Sequence, residues 1–166
     1  TAETARAAAT VPPPPASGAP SLDESLIVGY RMHKGRMVPV DRSAGSEALV
    51  GMIERARIEF ADGRQLIIFP EGTRRPAGAG PRYKLGIARL YAAMDVPCVP
   101  VALNSGLFWP RRSILRIPGT VVIEILDPIQ PGLDKDVFFE RLKTEIETAT
   151  ARLVEQGRAE IAASSR

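Results

Sequence analysis

Apolar residues recur along this chain with two different periods. Between residues 46 and 61, Leu49, Met52, Ile53, Ala56 and Phe60 follow one another at helical spacing, which predicts an amphipathic helix. Asp62-Gly63 closes it, Gly63 being suited to the left-handed position past a helix end. Residues 65–69 form a compact, continuously apolar run, the pattern of a strand covered on both faces. A loop rich in Gly, Pro and Arg follows over 70–82, and the stripe Ile87, Leu90, Tyr91 and Met94 predicts a second helix over 84–95. Residues 96–103 read as a strand, in which Pro97 and Pro100 remove two backbone donors and point to a sheet edge or a bulge. Another strand is predicted over 120–126. The last helix should run from about Asp134 to 156 with Phe138, Leu142, Ile146, Ala149 and Leu153 inward, leaving 157–166 as a frayed tail.

Strands alternating with helices predict an α/β fold, a mostly parallel sheet flanked by helices. In such sheets ligands bind beyond the carboxyl ends of the strands. Three polar signals are expected at such ends: Asp41-Arg42 after the apolar run 37–40, Glu71 to Arg74, and Asn104-Ser105. Residues 1–30 stand apart. Their first two-thirds are rich in Ala, Pro and Ser, with four consecutive prolines from Pro12 to Pro15. Such a segment buries too little apolar surface to offset its ordering entropy, so it is expected to be disordered and outside the domain, which spans 36–156. It has no apolar core of a secretory signal, and no run in the chain approaches the roughly 20 apolar residues of a membrane-spanning helix.

The 166 residues suffice for one core. The single cysteine, Cys98, lies in an apolar run and reads as an inert, buried thiol. Charge changes the picture more than composition does. Residues 31–119 hold 15 basic and seven acidic side chains, whereas 120–166 hold six basic and nine acidic. A basic middle stretch suits an anionic ligand or an anionic surface, and equally a solvated face. Nucleic acid is not the expected partner, because the bases follow no single helix face and no recognition motif accompanies them.

The candidate chemistry centres on residues 69–74, Phe-Pro-Glu-Gly-Thr-Arg. Gly72 lets backbone approach a ligand, and Arg74 offers a planar fork of donors matched to phosphate. Arg75, Arg82 and Lys84 add positive charge, Lys84 at the start of a helix whose free N–H groups also favour an anion. Glu71 is expected to orient an arginine, Arg42 or Arg74.

The hexapeptide resembles the third block of the glycerol-phosphate acyltransferase superfamily, specifically the 1-acyl-glycerol-3-phosphate acyltransferases. Residues 37–42, Met-Val-Pro-Val-Asp-Arg, look like the second block; Tyr83-Lys84 and Gly86 match the pair that follows the third; residues 99–104 look like the Val-Pro-Val strand of the fourth. Order and spacing agree over roughly 36–150. The resemblance implies a glycerol-phosphate-acyltransferase-like fold and acyl transfer from acyl-coenzyme A or acyl carrier protein to lysophosphatidic acid, giving phosphatidic acid. It also implies work on the cytoplasmic side of a membrane, peripherally or through an anchor elsewhere. Arg42, Glu71, Gly72, Thr73, Arg74 and Lys84 would hold the acceptor's phosphate. No metal or prosthetic group is implied.

The chain departs from the family at one point. The first block, His-x-x-x-x-Asp, supplies the general base and its orienting carboxylate some 40 to 50 residues before the second block, at or before residue 1 here. The only histidine, His33, has Val38 five residues on, so no catalytic residue is found and the domain is expected to be N-terminally incomplete. As given, the chain is expected to bind without appreciable turnover. Two other readings stay open: an acyltransferase using a different acceptor, and a phospholipid-binding remnant without catalysis. Phe108, Trp109, Arg111 and Arg112 place aromatics beside cations, a pattern that suits peripheral contact with a bilayer or a packed loop over the sheet edge.

Overall fold

A computed structural model describes residues 6–11, 45–111 and 113–164. The chain divides into two compact units, Pro15–Ile67 and the larger Thr1–Pro14 with Ile68–Arg166. The smaller unit contains helix α1, Gly45–Ala61. Ala56 is its buried position, with Met52, Ile53 and Phe60 half-buried on the predicted stripe. Its end is a Schellman turn. Gly63 takes φ 74°, its N–H reaches the Phe60 carbonyl at 2.9 Å, and the Arg64 N–H reaches Glu59 at 3.1 Å. The run 37–40, with Asp41-Arg42, lies outside the described residues.

The larger unit contains β1 (Arg6–Val11), α2 (Gly86–Met94), β2 (Val101–Leu103), the single turn α3 (Ser105–Phe108), β3 (Gly119–Ile125) and α4 (Lys135–Ser164). The three strands form one sheet in the order β1-β3-β2, and both pairings are antiparallel. This corrects the expectation of a mostly parallel sheet. A parallel return needs a crossover of a dozen or more residues, usually carried on a helix across one face. The connection from β2 to β3 has the length for this, but its only helix is the single turn α3, too short to carry the chain across a face of the sheet, and the chain turns straight back.

Two further expectations are corrected. Residues 65–69 form no strand: they have no regular secondary structure, with Ile67 81% and Phe69 74% exposed. A strand exists only through its ladder partners, and no described strand pairs with this run. The Ala/Pro-rich segment expected to be disordered supplies β1, whose residues run from Arg6 opposite Glu124 to Val11 opposite Gly119. Small side chains can follow a pleated ladder once a partner strand supplies the hydrogen bonds. The prolines around β2 act as expected. They confine it to three residues at a sheet edge, with Cys98 making a separate two-bond bridge to Ile129 at 2.8 and 2.9 Å.

α4 holds the unit together. Phe138, Leu142, Ala149 and Leu153 are buried as predicted. Phe138 and Leu142 join Ala88, Tyr91 and Ile129, the Tyr91 and Phe138 rings stacking at 3.7 Å between centroids; Ala149 and Leu153 cover Ala102 and Val122 of the sheet. Glu124, also on the covered face, is met by Arg152 of α4 at 2.5 Å. The helix does not fray at 157. Gly157 is buried where a Cβ would come within 2.7 Å of Leu107, and Glu160 accepts hydrogen bonds from the Thr120 hydroxyl (2.9 Å) and N–H (3.3 Å). Contacts with β3 and α3 thus hold the last two turns.

The Asn104 carboxamide is the buried polar junction of these elements. Its oxygen accepts from the Val122 N–H at 2.8 Å, and its nitrogen donates to the carbonyls of Thr120 (3.3 Å) and Leu153 (3.5 Å). Asn104→Ala strands the Val122 N–H in a dry core, a cost of about 1–3 kcal/mol. Urea denaturation should show a lower midpoint with an unchanged slope. At the start of α4, Asp134 accepts from the N–H groups of Asp136 (2.8 Å) and Val137 (3.4 Å). Those bonds hold its carboxyl below the usual range, so the stabilisation is present at neutral pH and is lost as pH falls through that depressed value. Asp134→Ala should lower the melting temperature at pH 7, and the gap from the parent protein should close under acid conditions.

Candidate functional site

Residues 70–84 form a loop closed at its base by the chain itself. The Lys84 N–H donates to the Pro70 carbonyl at 2.8 Å, and the Arg82 N–H donates to Glu71 Oε1 at 2.9 Å. The two ends of the loop therefore lie side by side, as in an Ω-loop. A turn at its entry is closed by the Gly72 N–H on the Phe69 carbonyl at 2.9 Å, and Gly72 has φ 67°, a conformation that L side chains rarely adopt. A Cβ there would meet nothing within 4 Å, so the glycine serves the turn and not a close approach by protein. Thr73 is exposed in the same bend.

Glu71 orients an arginine, and among the described residues it is Arg75 and not the expected Arg74. Its Oε1 lies 3.6 Å from Arg75 Nε, one helical spacing further on; Arg42 lies outside the described residues. That Arg75 nitrogen is buried without a hydrogen-bond partner, held by charge and not by a bond. Arg74 turns the other way, its guanidinium 5.8 Å from the ring centroid of Trp109.

Beyond this loop lies an open cavity of about 560 Å³. Arg74, Arg75 and Arg111 border it, with Trp109 at the rim, and Leu103, Ala151 and Val154 form an apolar wall. One acid, Glu147 of α4, also faces it and accepts from the Tyr83 hydroxyl at 2.8 Å. Burial, then the hydrogen bond and charge of Glu147, push the Tyr83 phenol far above its ordinary value, so it remains a donor throughout the working pH range. Three guanidinium groups beside an apolar wall suit a molecule with an anionic head and a hydrocarbon body.

Of the residues expected to hold phosphate, Arg74 borders the cavity; Glu71, Gly72, Thr73 and Lys84 shape the loop beside it, Lys84 through its backbone with its side chain exposed. Asn104 and Ser105, one of the expected strand-end signals, also line the cavity, although the Asn104 carboxamide is engaged by the backbones of β3 and α4. Phe108 is 0% exposed, which removes it from any bilayer contact: it fills the space over Gly119, where an added Cβ would collide with its ring. Arg112 and His33 lie outside the described residues. Sequence reasoning missed Arg111 and Glu147 as cavity residues. Arg111 had a signal, the Arg-Arg pair after Trp109; Glu147 had none, being one of many acids on α4. Cys98 is half-buried, and burial raises its thiol pKa, in keeping with an inert thiol.

No solved structure matches the chain. Among proteins of known name, 1-acyl-sn-glycerol-3-phosphate acyltransferases are similar: that of Pseudomonas aeruginosa is 30% identical over 97 residues, covering 58% of this chain and 38% of the relative. The Cocos nucifera protein is 33% identical over 92 residues (55% and 30%), and the beta form of Homo sapiens 29% over 103 residues (61% and 37%). The chain thus spans well under half the length of these relatives. A family model described as "Acyltransferase" matches residues 10–104, beginning inside the stretch expected to lie outside the domain. The match spans more than half of the chain and includes the 70–84 loop with Arg74 and Arg75, so this protein belongs to the acyltransferase family.

Proposed function

We propose that the protein serves acyl transfer from acyl-coenzyme A or acyl carrier protein to lysophosphatidic acid, giving phosphatidic acid. The convergence of Arg74, Arg75 and Arg111 on one cavity with an apolar wall carries the proposal. The arginines would take the acceptor's phosphate, and Leu103, Ala151 and Val154 its acyl chain. Glycerol-3-phosphate, which shares the phosphate, would leave that wall against water, so a lysolipid fits better. Glu71 would keep the Arg75 fork in place. In the reaction the acceptor hydroxyl attacks the thioester carbonyl, a C–O bond forms, the C–S bond breaks and the thiolate leaves.

The hydroxyl proton needs a positioned base. We assign that role to the family's His-x-x-x-x-Asp pair, which none of the described residues supplies, and expect this chain alone to bind the acceptor without appreciable turnover. Because acceptor and product are bilayer lipids, the proposal includes work at the cytoplasmic surface of a membrane.

Arg74→Ala should weaken lysophosphatidate binding about ten- to a hundredfold in calorimetry, the worth of one charge-assisted hydrogen bond, while the melting temperature barely moves. Equal affinity in parent and variant would remove Arg74 from the site. Supplying the His-x-x-x-x-Asp segment should raise thioester consumption on the order of 10²–10⁴-fold. Equal consumption with and without it would place the base elsewhere, and binding with no consumption in either case would favour a non-catalytic lipid-binding protein.

A further inference from the structure

The loop between α3 and β3 is built unlike the rest of the surface. Ile114 is 96% exposed, Leu115 75% and Trp109 50%, and Ile117 is also exposed. Large apolar groups clustered in water cost free energy unless something covers them. Residues 96–118 contain Arg111, Arg112 and Arg116 and no acidic residue. The Arg116 guanidinium lies 4.4 Å from the Trp109 ring centroid, so an aromatic and a cation already share one surface.

The loop is also held at its base. The Ile117 N–H donates to the Phe108 carbonyl at 2.9 Å, and Phe108 is locked in the core. Inside the loop Ser113 Oγ donates to the Leu115 carbonyl at 3.0 Å. Exposure here is therefore a property of a pinned projection. Trp109 and Arg111 belong both to this loop and to the rim of the cavity.

We propose that residues 109–117 dock the protein on an anionic lipid bilayer. Ile114 and Leu115 enter the interfacial region, Trp109 lies at headgroup level, and Arg116 faces anionic headgroups. Charge complementarity selects this occupant: a loop whose charged side chains are all arginines, around an apolar tip, matches a negatively charged, hydrocarbon-backed surface, whereas a second copy of the same loop would set arginine against arginine. Docked in this way, the cavity mouth opens at the plane from which a lipid would enter. The inference rests on the membrane part of the proposed function and names the surface that docks; vesicle binding requires neither acceptor nor turnover, so its failure and that of acyl transfer are distinguishable.

The test uses the full chain and vesicles of phosphatidylcholine with or without phosphatidylglycerol, free of lysophosphatidate. Trp109 is the only tryptophan and reports the contact by its fluorescence. The parent protein should co-sediment with phosphatidylglycerol vesicles, lose that binding as salt rises, and shift Trp109 emission to the blue. The double variant Ile114→Glu, Leu115→Glu should bind roughly tenfold or more weakly at an unchanged melting temperature, both side chains being in water already. Arg116→Ala should weaken binding mainly to anionic vesicles, and Arg74→Ala should keep vesicle binding while losing lysophosphatidate. Unchanged sedimentation of the double variant, or no Trp109 shift on binding, overturns the proposal. So does vesicle-free self-association of the parent that the double variant abolishes, which would make the loop an interface between copies.

Discussion

The larger unit depends on one buried carboxamide. Asn104 ends β2, and its side chain ties that end to the backbones of β3 and α4. It adds to the backbone ladder that pairs the three residues of this edge strand with β3. With it, the chain leaving β2 has a fixed direction. α3 follows at once, and its Phe108 enters the space that Gly119 and Gly157 leave by having no Cβ. Two glycines and one asparagine thus decide where the polypeptide turns and which aromatic becomes core.

The site is a consequence of that turn. The cavity lies between the 70–84 loop, the segment around α3 and the middle of α4. Its arginines come from the first two of these, and most of its apolar wall comes from the third. Glu71 supports the arrangement from behind, spending one oxygen on the Arg82 N–H and the charge of Arg75. The single acid in the cavity, Glu147, is occupied by the Tyr83 hydroxyl, which limits its opposition to the three arginines.

The sheet gives an opposite lesson. α4 covers the face bearing Ala102, Val122 and Glu124, while Val101, Leu103, Ile123 and Ile125 on the other face stay more than a third exposed. Strands alternating with helices suggested a parallel sheet, and the continuous apolar character of 65–69 suggested a strand covered on both faces. Apolar character records what a strand can bury. It does not record the direction of the neighbouring strand, which is set by the length and path of the connection. The same limit explains residues 65–69, whose apolar run marks capacity for a strand without supplying a partner.

By itself the sequence determined the helices α1, α2 and α4 and their inward stripes, the Gly63 helix stop, the edge placement forced by Pro97 and Pro100, and the arginine-bearing loop after Phe69. These follow from local chemistry: side-chain period, a left-handed turn, and missing N–H donors. Only the tertiary structure decided that β1 joins the sheet, that all described strands run antiparallel, and that α4 continues past Gly157. It also made Glu71 the partner of Arg75, drew Arg111 and Glu147 to the same cavity as Arg74, and buried Phe108 while leaving Trp109 at the rim. Each of those outcomes depends on which distant surfaces meet, and residue spacing along a chain carries no measure of that.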